Sequence, residues 1–407
     1  MPRLTLSSRL ANSKSGCGGA LPFFAGLITA TLLIELVLHL IELSPLWRVL
    51  PVVEQELGWP DPDTGYSLRP NRNIINVKEH RNWVRTNRFG FRGPDPDVRE
   101  PRHVYRVAVM GDSFTEALEV PYNRNFVSIL GRKMAAEHDE RKIEALNFGV
   151  IGSGPVQQLY HWENNAKALS PDLTIFVISE HYFRSNEMTN DSLNPGYVKN
   201  SAGEFLTGYQ FRERRSQIYR DRWQGKLFFA LMDHSRVVRA IYLKRKLGGV
   251  SGATPAIQYR HNDVSCKTLN ARAKNAAKFW RDNSPIAQLK LFDHYLKDML
   301  DKFAEANGDL VVALYGLGLL PQQCKENWVL REQLHQAVQR KFQDKGIRFI
   351  DIDYEISLRN NDPAFAPSLF GFGKHVGIGH LNFNGHLHYA QALLAGIKKS
   401  KGKAGFQ

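Results

Sequence analysis

The sequence predicts an α/β protein with a parallel central sheet between two layers of helices, preceded by one membrane-spanning helix. From Val104 onward, short aliphatic runs alternate with helix-length segments, which is typical of parallel strands joined by crossover helices. The first of these runs breaks at Gly111 into a tight turn and a helix. Near the N-terminus, residues 20–34 carry no charge, and the apolar run continues to Leu43.

The alternating pattern gives a definite set of elements. The predicted strands are Arg106 to Met110, Ile143 to Phe148, Leu173 to Ile178, Leu310 to Leu314 and Arg348 to Ile352. The predicted helices are Asn123 to Glu137, Val156 to Ala168, Pro285 to Asn307, Val329 to Lys345 and Gly385 to Lys399. Strands that alternate with helices in this way predict a parallel sheet.

Ser113 lies at the carboxyl end of the first predicted strand, in Gly111-Asp112-Ser113. Open α/β sheets bind ligands at that edge, because the strands end there and helix N-termini supply free N–H groups. A serine in this place can act as a nucleophile when a base takes its proton. A serine or an aspartate after a strand is also an ordinary helix N-cap, so the tripeptide alone fits a structural role as well.

The composition limits the class of protein. The formal net charge of +14 and the pI near 9.6 predict anionic neighbours, such as lipid headgroups or acidic glycans, although solubility alone is an alternative. No helix-turn-helix, zinc-finger or RNA-binding signature occurs, so no nucleic-acid partner is expected. Because there is no metal-binding spacing of Cys or His, no P-loop and no Rossmann fingerprint, no metal and no cofactor are expected.

The N-terminal segment predicts an uncleaved membrane anchor. Residues 1–19 carry Arg3, Arg9 and Lys14 and no acid, so this tail is expected in the cytoplasm and the rest of the chain outside. A cleaved signal peptide is less consistent with the bulky residues 43–47 that follow the apolar run. Glu35 and His39 lie one helical turn apart, and we expect them to pair with each other or with a partner helix.

Three further segments complete the predicted organisation. Residues 48–103 are dense in Pro, Gly, Asn and Arg, which predicts turns and extended pieces. Residues 104–400 form the α/β domain, and residues 187–284 interrupt its alternation with a basic insertion that also carries aromatic residues. That insertion is interpreted as a lid, a membrane-facing segment or a solvated helical face. Cys266 and Cys324 can form a disulfide in an exported chain, but the sequence leaves this open.

Three blocks in the α/β region carry a resemblance to a known family. Gly111-Asp112-Ser113-Phe114, the segment from Asn147 to Gly154, and His380-Leu381-Asn382 resemble the SGNH (GDSL-like) hydrolase superfamily, in its membrane-anchored bacterial envelope type. The likeness also covers residues 61–71 and 87–94 in the lead-in. It implies an SGNH-type, flavodoxin-like three-layer α/β/α fold with a β-rich lead-in packed against the sheet.

The resemblance also implies the residues of the site. Ser113 would be the nucleophile and His380 the general base. The oxyanion hole would consist of the backbone N–H groups of Ser113 and Gly152 together with His181, which stands where the family has an asparagine. Asn186 is the alternative to His181 as this donor.

One expected residue is absent from its usual place. The family has an aspartate two or three residues before the catalytic histidine, and this chain has Ile378 and Gly377 there. Another carboxylate can replace the acid, or a backbone carbonyl can hold the imidazole in a Ser-His dyad. The candidates by proximity in the chain are Asp351, Asp353 and Asp362.

Together these features predict a periplasmic serine esterase anchored in the bacterial inner membrane. It would remove an acyl group, with acetyl as the expected one, from an envelope or exported carbohydrate by an acyl-enzyme mechanism. An O-acyltransferase fed by a membrane-protein partner is one alternative. The other is a scaffold that has lost catalysis and binds a glycan or a partner protein.

Overall fold

A computed structural model describes most of the chain. The described residues are 20–43, 58–76, 79–80, 82–96, 104–137, 141–184, 194–209, 212, 222–248, 274, 276–280, 286–306, 308–320, 322, 324–360, 362, 365–373, 376–377 and 379–400. They form two compact units. One contains the N-terminal helix and residues 228–248, and the other contains the α/β domain with its lead-in.

The centre of the larger unit is a five-stranded sheet in which every pairing is parallel. Its strands are β5 (Val104–Gly111), β6 (Lys142–Gly149), β7 (Leu173–Ser179), β10 (Asp309–Tyr315) and β11 (Arg348–Asp351). They lie in the order β11-β10-β7-β5-β6. Each of the five strands predicted from the sequence is present, with ends that differ by a few residues at most.

The remaining strands form three antiparallel hairpins. Two lie in the lead-in, β1 (Gly58–Asp61) with β2 (Gly65–Leu68) and β3 (Asn73–Asn76) with β4 (Asn82–Arg85). The third, β8 (Gly196–Lys199) with β9 (Phe205–Gly208), lies in the insertion. The described part of the lead-in therefore contains regular β-structure.

The helices of the described chain follow the predicted order. They are α1 (Ala20–Leu43), α2 (Ser113–Glu116), α3 (Phe126–Ala135), α4 (Pro155–His161), α5 (His181–Arg184), α6 (Trp223–His234), α7 (Arg236–Gly248), α8 (Ile286–Phe303), α9 (Lys325–Gln343), α10 (Ile352–Ser357) and α11 (Phe383–Ser400). Helix α4 continues through one π turn and one 3₁₀ turn to Leu169.

Helices cover both faces of the sheet, which confirms the three-layer α/β/α class. Successive residues of β5 point to opposite faces, so Ala108 and Met110 join one apolar cluster while Val107 and Val109 join the other. Helices α4, α8 and α9 bury apolar residues in the first cluster. Helices α3, α10 and α11 do so in the second. Because both faces are covered, β5 is buried along its whole length.

Helix α1 is long and apolar enough to cross a membrane, with a mean hydropathy of 2.1 over Pro22–Ile41. The carboxylate of Glu35, which lies within this apolar span, is bonded to residues of another helix. It accepts hydrogen bonds from residues at the start of α7, and the guanidinium of Arg236 lies 3.7 Å away. The partner helix expected for Glu35 is therefore a second helix of the same chain.

Candidate active site

Ser113 is the first residue of α2, directly after β5. The carboxylate of Asp112 caps this helix, since its Oδ1 accepts a hydrogen bond of 3.0 Å from the Phe114 N–H. The buried hydroxyl of Tyr315, at the end of β10, donates to the other oxygen of Asp112. Burial raises the pKa of Asp112, and the Tyr315 hydrogen bond opposes that rise. Asp112 therefore fixes the turn and leaves the half-buried Ser113 at the edge of the sheet.

The segment from Asn147 to Gly154 packs directly against this turn. The side-chain amide of Asn147 donates to the Thr115 carbonyl at 2.6 Å, and its oxygen accepts from the Gly149 N–H at 2.9 Å. A side chain at Gly149 would collide with the backbone of Glu116, so only glycine allows β6 to approach α2 this closely. Asn147 and Gly149 thus hold the nucleophile turn against the loop that follows β6.

The structure brings His380 to Ser113, although the two residues are far apart in the sequence. The Nε2 atom of His380 lies 2.9 Å from the Ser113 Oγ. The loop that carries His380 is held by Asn382, whose side-chain amide donates to the carbonyls of Ser368 and Gly371. The Asn382 oxygen accepts from the Gly385 N–H and caps α11. Asn382 therefore positions the imidazole by holding both sides of its loop.

Glu79 is the acid that contacts the imidazole. Its Oε1 lies 2.7 Å from His380 Nδ1, and its Oε2 accepts a 2.8 Å hydrogen bond from the His380 backbone N–H. Gly379 has a φ of 95°, and a side chain there would collide with the Glu79 carboxylate. Glycine before His380 therefore permits the approach of an acid from another part of the chain. Ser113, His380 and Glu79 form a continuous chain of hydrogen-bonded groups.

The lead-in supplies Glu79 from the loop between β3 and β4, and that hairpin is fixed to the segment after α2. The Asn82 side chain donates to the carbonyls of Leu118 and Val120 at 2.9 and 2.6 Å. The buried guanidinium of Arg92 donates to the carbonyls of Glu116 and Val120. These bonds make the lead-in a structural part of the site.

A second carboxyl group, that of Glu119, lies on the same side of the imidazole. Its Oε1 is 3.3 Å from His380 Nδ1, and its side chain is only 6% exposed, against 30% for Glu79. Burial raises the pKa of Glu119, and the neighbouring Glu79 charge adds to that rise while His380 opposes it. The more solvated Glu79 is thus the better carrier of the negative charge at Nδ1.

The carboxyl groups of Glu79 and Glu119 change the pKa of His380. Burial alone would lower the pKa of this imidazole, but the Glu79 hydrogen bond and the charges of Glu119 and Glu79 raise it above its ordinary value. One ligand atom from each of these three side chains lies within 4.8 Å of the others, so the group also has the spacing to hold a cation. With His380 Nδ1 bonded to Glu79, the arrangement is that of an oriented base.

The aspartates that were candidates for the acid have other roles or positions. Asp351 is buried and binds the Arg331 guanidinium through both carboxylate oxygens; burial alone would raise its pKa, but Arg331 and His335 lower it to about 2. Asp353 accepts from the N–H groups of Gly316 and Gly318. Asp362 is exposed. Glu79, rather than any of these three aspartates, bonds to the His380 imidazole. The described site is therefore not a Ser-His dyad without an acid.

The sequence offered little signal for Glu79. It lies some 300 positions from His380, in a segment whose composition indicates only turns. The family likeness did extend to residues on both sides of it, and this was the one indication that the lead-in belongs with the site.

The proposed oxyanion donors lie at the same edge. Gly111 pairs with Gly149 of β6 and with Val177 of β7, so the loops that carry Gly152 and His181 leave the sheet on either side of Ser113. Gly152 is exposed, with a φ of 72° and open space around it.

Two side chains position these loops. The buried Glu116 carboxyl, whose pKa burial raises to about 8, accepts from the Ile151 N–H at 2.7 Å and fixes the loop that carries Gly152. The Nδ1 atom of His181 lies 2.7 Å from the Ser179 Oγ, and the nearby imidazole opposes the rise that burial causes in the pKa of Asp112. Asn186, the alternative donor, lies outside the described residues.

No protein-family model and no curated protein sequence matches this chain. In structure it is similar to an acetylxylan esterase from Geobacillus stearothermophilus at 14% identity and a TM-score of 0.31, over 74% of this chain and 95% of that one. It is also similar to a member of the lipolytic G-D-S-L family from Veillonella parvula, at 14% identity and a TM-score of 0.29, over 71% and 96% of the two chains. The fold class rests on the strand order and layers described above.

Proposed function

We propose that this protein is a serine ester hydrolase of the SGNH type. The observation that carries the proposal is the chain of contacts from Ser113 Oγ through His380 to the Glu79 carboxylate, with distances of 2.9 and 2.7 Å. This is the arrangement of nucleophile, base and orienting acid that acyl transfer requires. It weakens one of the reasons for the binding-scaffold alternative, since a carboxylate from another segment stands at the imidazole.

The proposed reaction has two steps. Ser113 Oγ attacks the ester carbonyl while His380 Nε2 takes its proton, and Glu79 stabilises the imidazolium through Nδ1–H. The backbone N–H groups of Ser113 and Gly152, together with His181, are the proposed donors to the oxyanion. Collapse gives the acyl-Ser113 ester, and the leaving alcohol takes the proton from His380. Water then attacks this ester with His380 again as the base, which releases the carboxylic acid and restores Ser113.

The proposed substrate is an acylated carbohydrate, with acetyl as the expected acyl group. A group of partly buried aromatic rings is joined to the His380 loop: His80 stacks on Phe372 at 4.7 Å, and Phe372 meets Phe383 edge to face at 5.8 Å. The residue before Phe372, Gly371, donates its backbone N–H to the His380 carbonyl at 2.8 Å. Flat apolar surfaces of this kind suit the C–H face of a sugar ring. The names of the similar acetylxylan esterases agree with this choice.

The proposed location is the outer face of the bacterial inner membrane. Because Glu35 bonds to the start of α7, helix α1 is part of the folded protein, which favours a retained anchor over a cleaved signal. Cys324 forms a disulfide, and such bonds persist in oxidising compartments such as the periplasm. Its partner lies outside the described residues, so the pairing with Cys266 stays a prediction.

Replacement of Phe372 with alanine tests the carbohydrate part of the proposal. We expect KM for an acetylated oligosaccharide to rise about tenfold, the equivalent of losing about 1.4 kcal/mol of binding. Turnover of a small ester such as p-nitrophenyl acetate should stay within about twofold, because the described hydrogen bonds of the His380 imidazole are to Ser113 and Glu79 while Phe372 packs on His80 and Phe383. An equal loss on both substrates would contradict the role. Product analysis with a carbohydrate acceptor, in the same assay, distinguishes hydrolysis from transfer to the acceptor.

The activity should depend on pH through His380. The base must be neutral to accept the Ser113 proton, so the rate falls as the pH drops through the His380 pKa. Because Glu79 and Glu119 raise that pKa, we expect the acidic midpoint of kcat/KM to lie above about 6.5, the ordinary histidine value. A stopped assay in buffers of constant ionic strength measures this midpoint, and a midpoint below the ordinary value would contradict the geometry at Nδ1.

A further inference from the structure

Helix α6 has an apolar stripe on its exposed side. Trp223, Leu227 and Leu231 follow one another at a spacing of four residues, which places them along one face of the helix. Their exposed fractions are 71%, 51% and 42%. Met232 points away from this face and is buried. On the next helix, Ile241 is 63% exposed. Large apolar side chains arranged in this way mark an interaction surface.

Helix α7 is joined to the apolar span through Glu35. The Glu35 carboxylate accepts from the Ser235 hydroxyl at 3.0 Å and from the backbone N–H groups of Arg236 and Val237 at 2.6 and 3.0 Å. The Arg236 guanidinium supplies the compensating charge at 3.7 Å. An acid inside a membrane span is costly unless it is paired in this way.

This contact fixes the depth at which α7 begins. Glu35 lies six residues before Ile41, the end of the apolar span, which corresponds to about 9 Å along the helix. The basic N-terminal tail orients the C-terminal end of α1 toward the outside. The start of α7 is therefore at the boundary between acyl chains and headgroups on the outer side, the depth that interfacial amphipathic helices occupy.

The charge of the segment identifies what covers the apolar stripe. Helix α7 contains five basic residues and no acid: Arg236, Arg239, Lys244, Arg245 and Lys246. Two of the five act inside the protein, because Arg236 pairs with Glu35 and Arg239 is buried. Next to Trp223 and Leu227 in the sequence, Arg222 and Lys226 are exposed basic residues. Basic residues next to exposed apolar ones are typical of helices that bind anionic lipid headgroups. The same residues disfavour a second copy of this chain as the occupant, because two such surfaces repel each other.

We propose that α6 and α7 lie in the outer headgroup region of the membrane that α1 spans, with Trp223, Leu227 and Leu231 toward the acyl chains and the exposed Arg222 and Lys226 toward anionic headgroups. This inference rests on the proposed anchor. Helices α6 and α7 of the basic insertion would then form a second membrane attachment, which is joined to the first, α1, through Glu35. Acting together, the two attachments hold the protein to the membrane surface by more than a single helix.

The test uses the full chain in vesicles of phosphatidylethanolamine and phosphatidylglycerol, on a Cys17→Ser background with the Cys324 disulfide left intact. An environment-sensitive fluorophore is attached at Leu227→Cys or, as the matched control, at Leu206→Cys. Both leucines are 51% exposed, and Leu206 belongs to the β8–β9 hairpin, away from the basic helices in sequence. Labelling of the background chain is subtracted.

We expect lipids with a nitroxide near the headgroup to quench the label at position 227 and to leave the label at 206 unquenched. Quenching at 227 should fall when phosphatidylglycerol is replaced by phosphatidylcholine. Equal quenching at both positions, or none at 227, overturns the inference. Protection of position 227 that depends on protein density in the vesicle also overturns it, since that result indicates a second copy.

An alkaline carbonate wash of the same vesicles separates the two proposals. Protein that resists the wash but shows no quenching at 227 retains the anchor and refutes the interfacial helices. Protein that is extracted by the wash refutes the anchor, and the inference with it.

Discussion

Replacement of Ser113 with alanine should abolish ester turnover, lowering kcat by about 10⁴-fold or more. The loss follows because the only oxygen within 2.9 Å of His380 Nε2 in the described site is the Ser113 hydroxyl, and no acyl-enzyme forms without it. The fold should survive, since Ser113 is half-buried and its helix is capped by Asp112. Labelling with a serine-directed fluorophosphonate, followed by mass analysis of the protein, measures the nucleophilic reactivity of Ser113 and does not require that the substrate be known.

Ser128→Ala is the matched control for this experiment. Ser128 is also half-buried and lies on α3, where its hydroxyl accepts a hydrogen bond from Arg132 rather than contacting a base. We expect full labelling and full turnover in this variant. Labelling of the Ser113→Ala protein at another serine would show that the nucleophile has been assigned to the wrong residue. Absence of labelling in a folded wild-type protein would favour a binding scaffold.

Replacement of Glu79 with glutamine should lower kcat by about 10³ to 10⁴, with little change in KM for a small ester. Glutamine retains the size of the side chain but not the charge that stabilises the imidazolium. The loss of that charge also lowers the pKa of His380, so the acidic midpoint of the pH profile should move to lower pH. Slower turnover combined with this shift is a signature that a simple loss of packing does not give.

Glu119→Gln separates the two carboxyl groups beside His380. Because Glu119 is more buried and lies at 3.3 Å rather than 2.7 Å, we expect its replacement to lower kcat by less than about tenfold. Asp353→Asn tests a candidate from the sequence whose carboxylate instead holds the backbone near Gly316, and it should leave the midpoint of the pH profile unchanged. If Glu119→Gln is as damaging as Glu79→Gln, the acid has been assigned to the wrong residue.

Local patterns were sufficient to predict the elements of the sheet. The five parallel strands and the helices between them depend on short apolar runs, on glycines at their ends and on helical periodicity, all of which act over a few residues. Ser113 was singled out because it follows the first predicted strand, whereas His380 was identified as the expected base through the resemblance of its motif to the SGNH superfamily.

The position of Glu79 beside His380 could not be predicted from local sequence patterns. Glu79 reaches His380 because Asn82 and Arg92 bind the backbone after α2, and because Gly379 leaves space for its carboxylate. Each of these contacts joins segments that are distant in the sequence, and none has a period or a local composition. The pairing of Glu35 with α7 is similar, since the sequence indicated the need for a partner but not which helix would supply it.

The sequence by itself thus determined the α/β layers and the apolar span, because short-range sterics and periodic burial decide these features, while Ser113 and His380 were singled out by their motifs. Only the tertiary structure decided which carboxylate orients the imidazole and which helix binds Glu35. The physical reason is that a charged group in a site of low polarity is satisfied by whichever partner the fold brings within about 3 Å, whatever its distance along the chain.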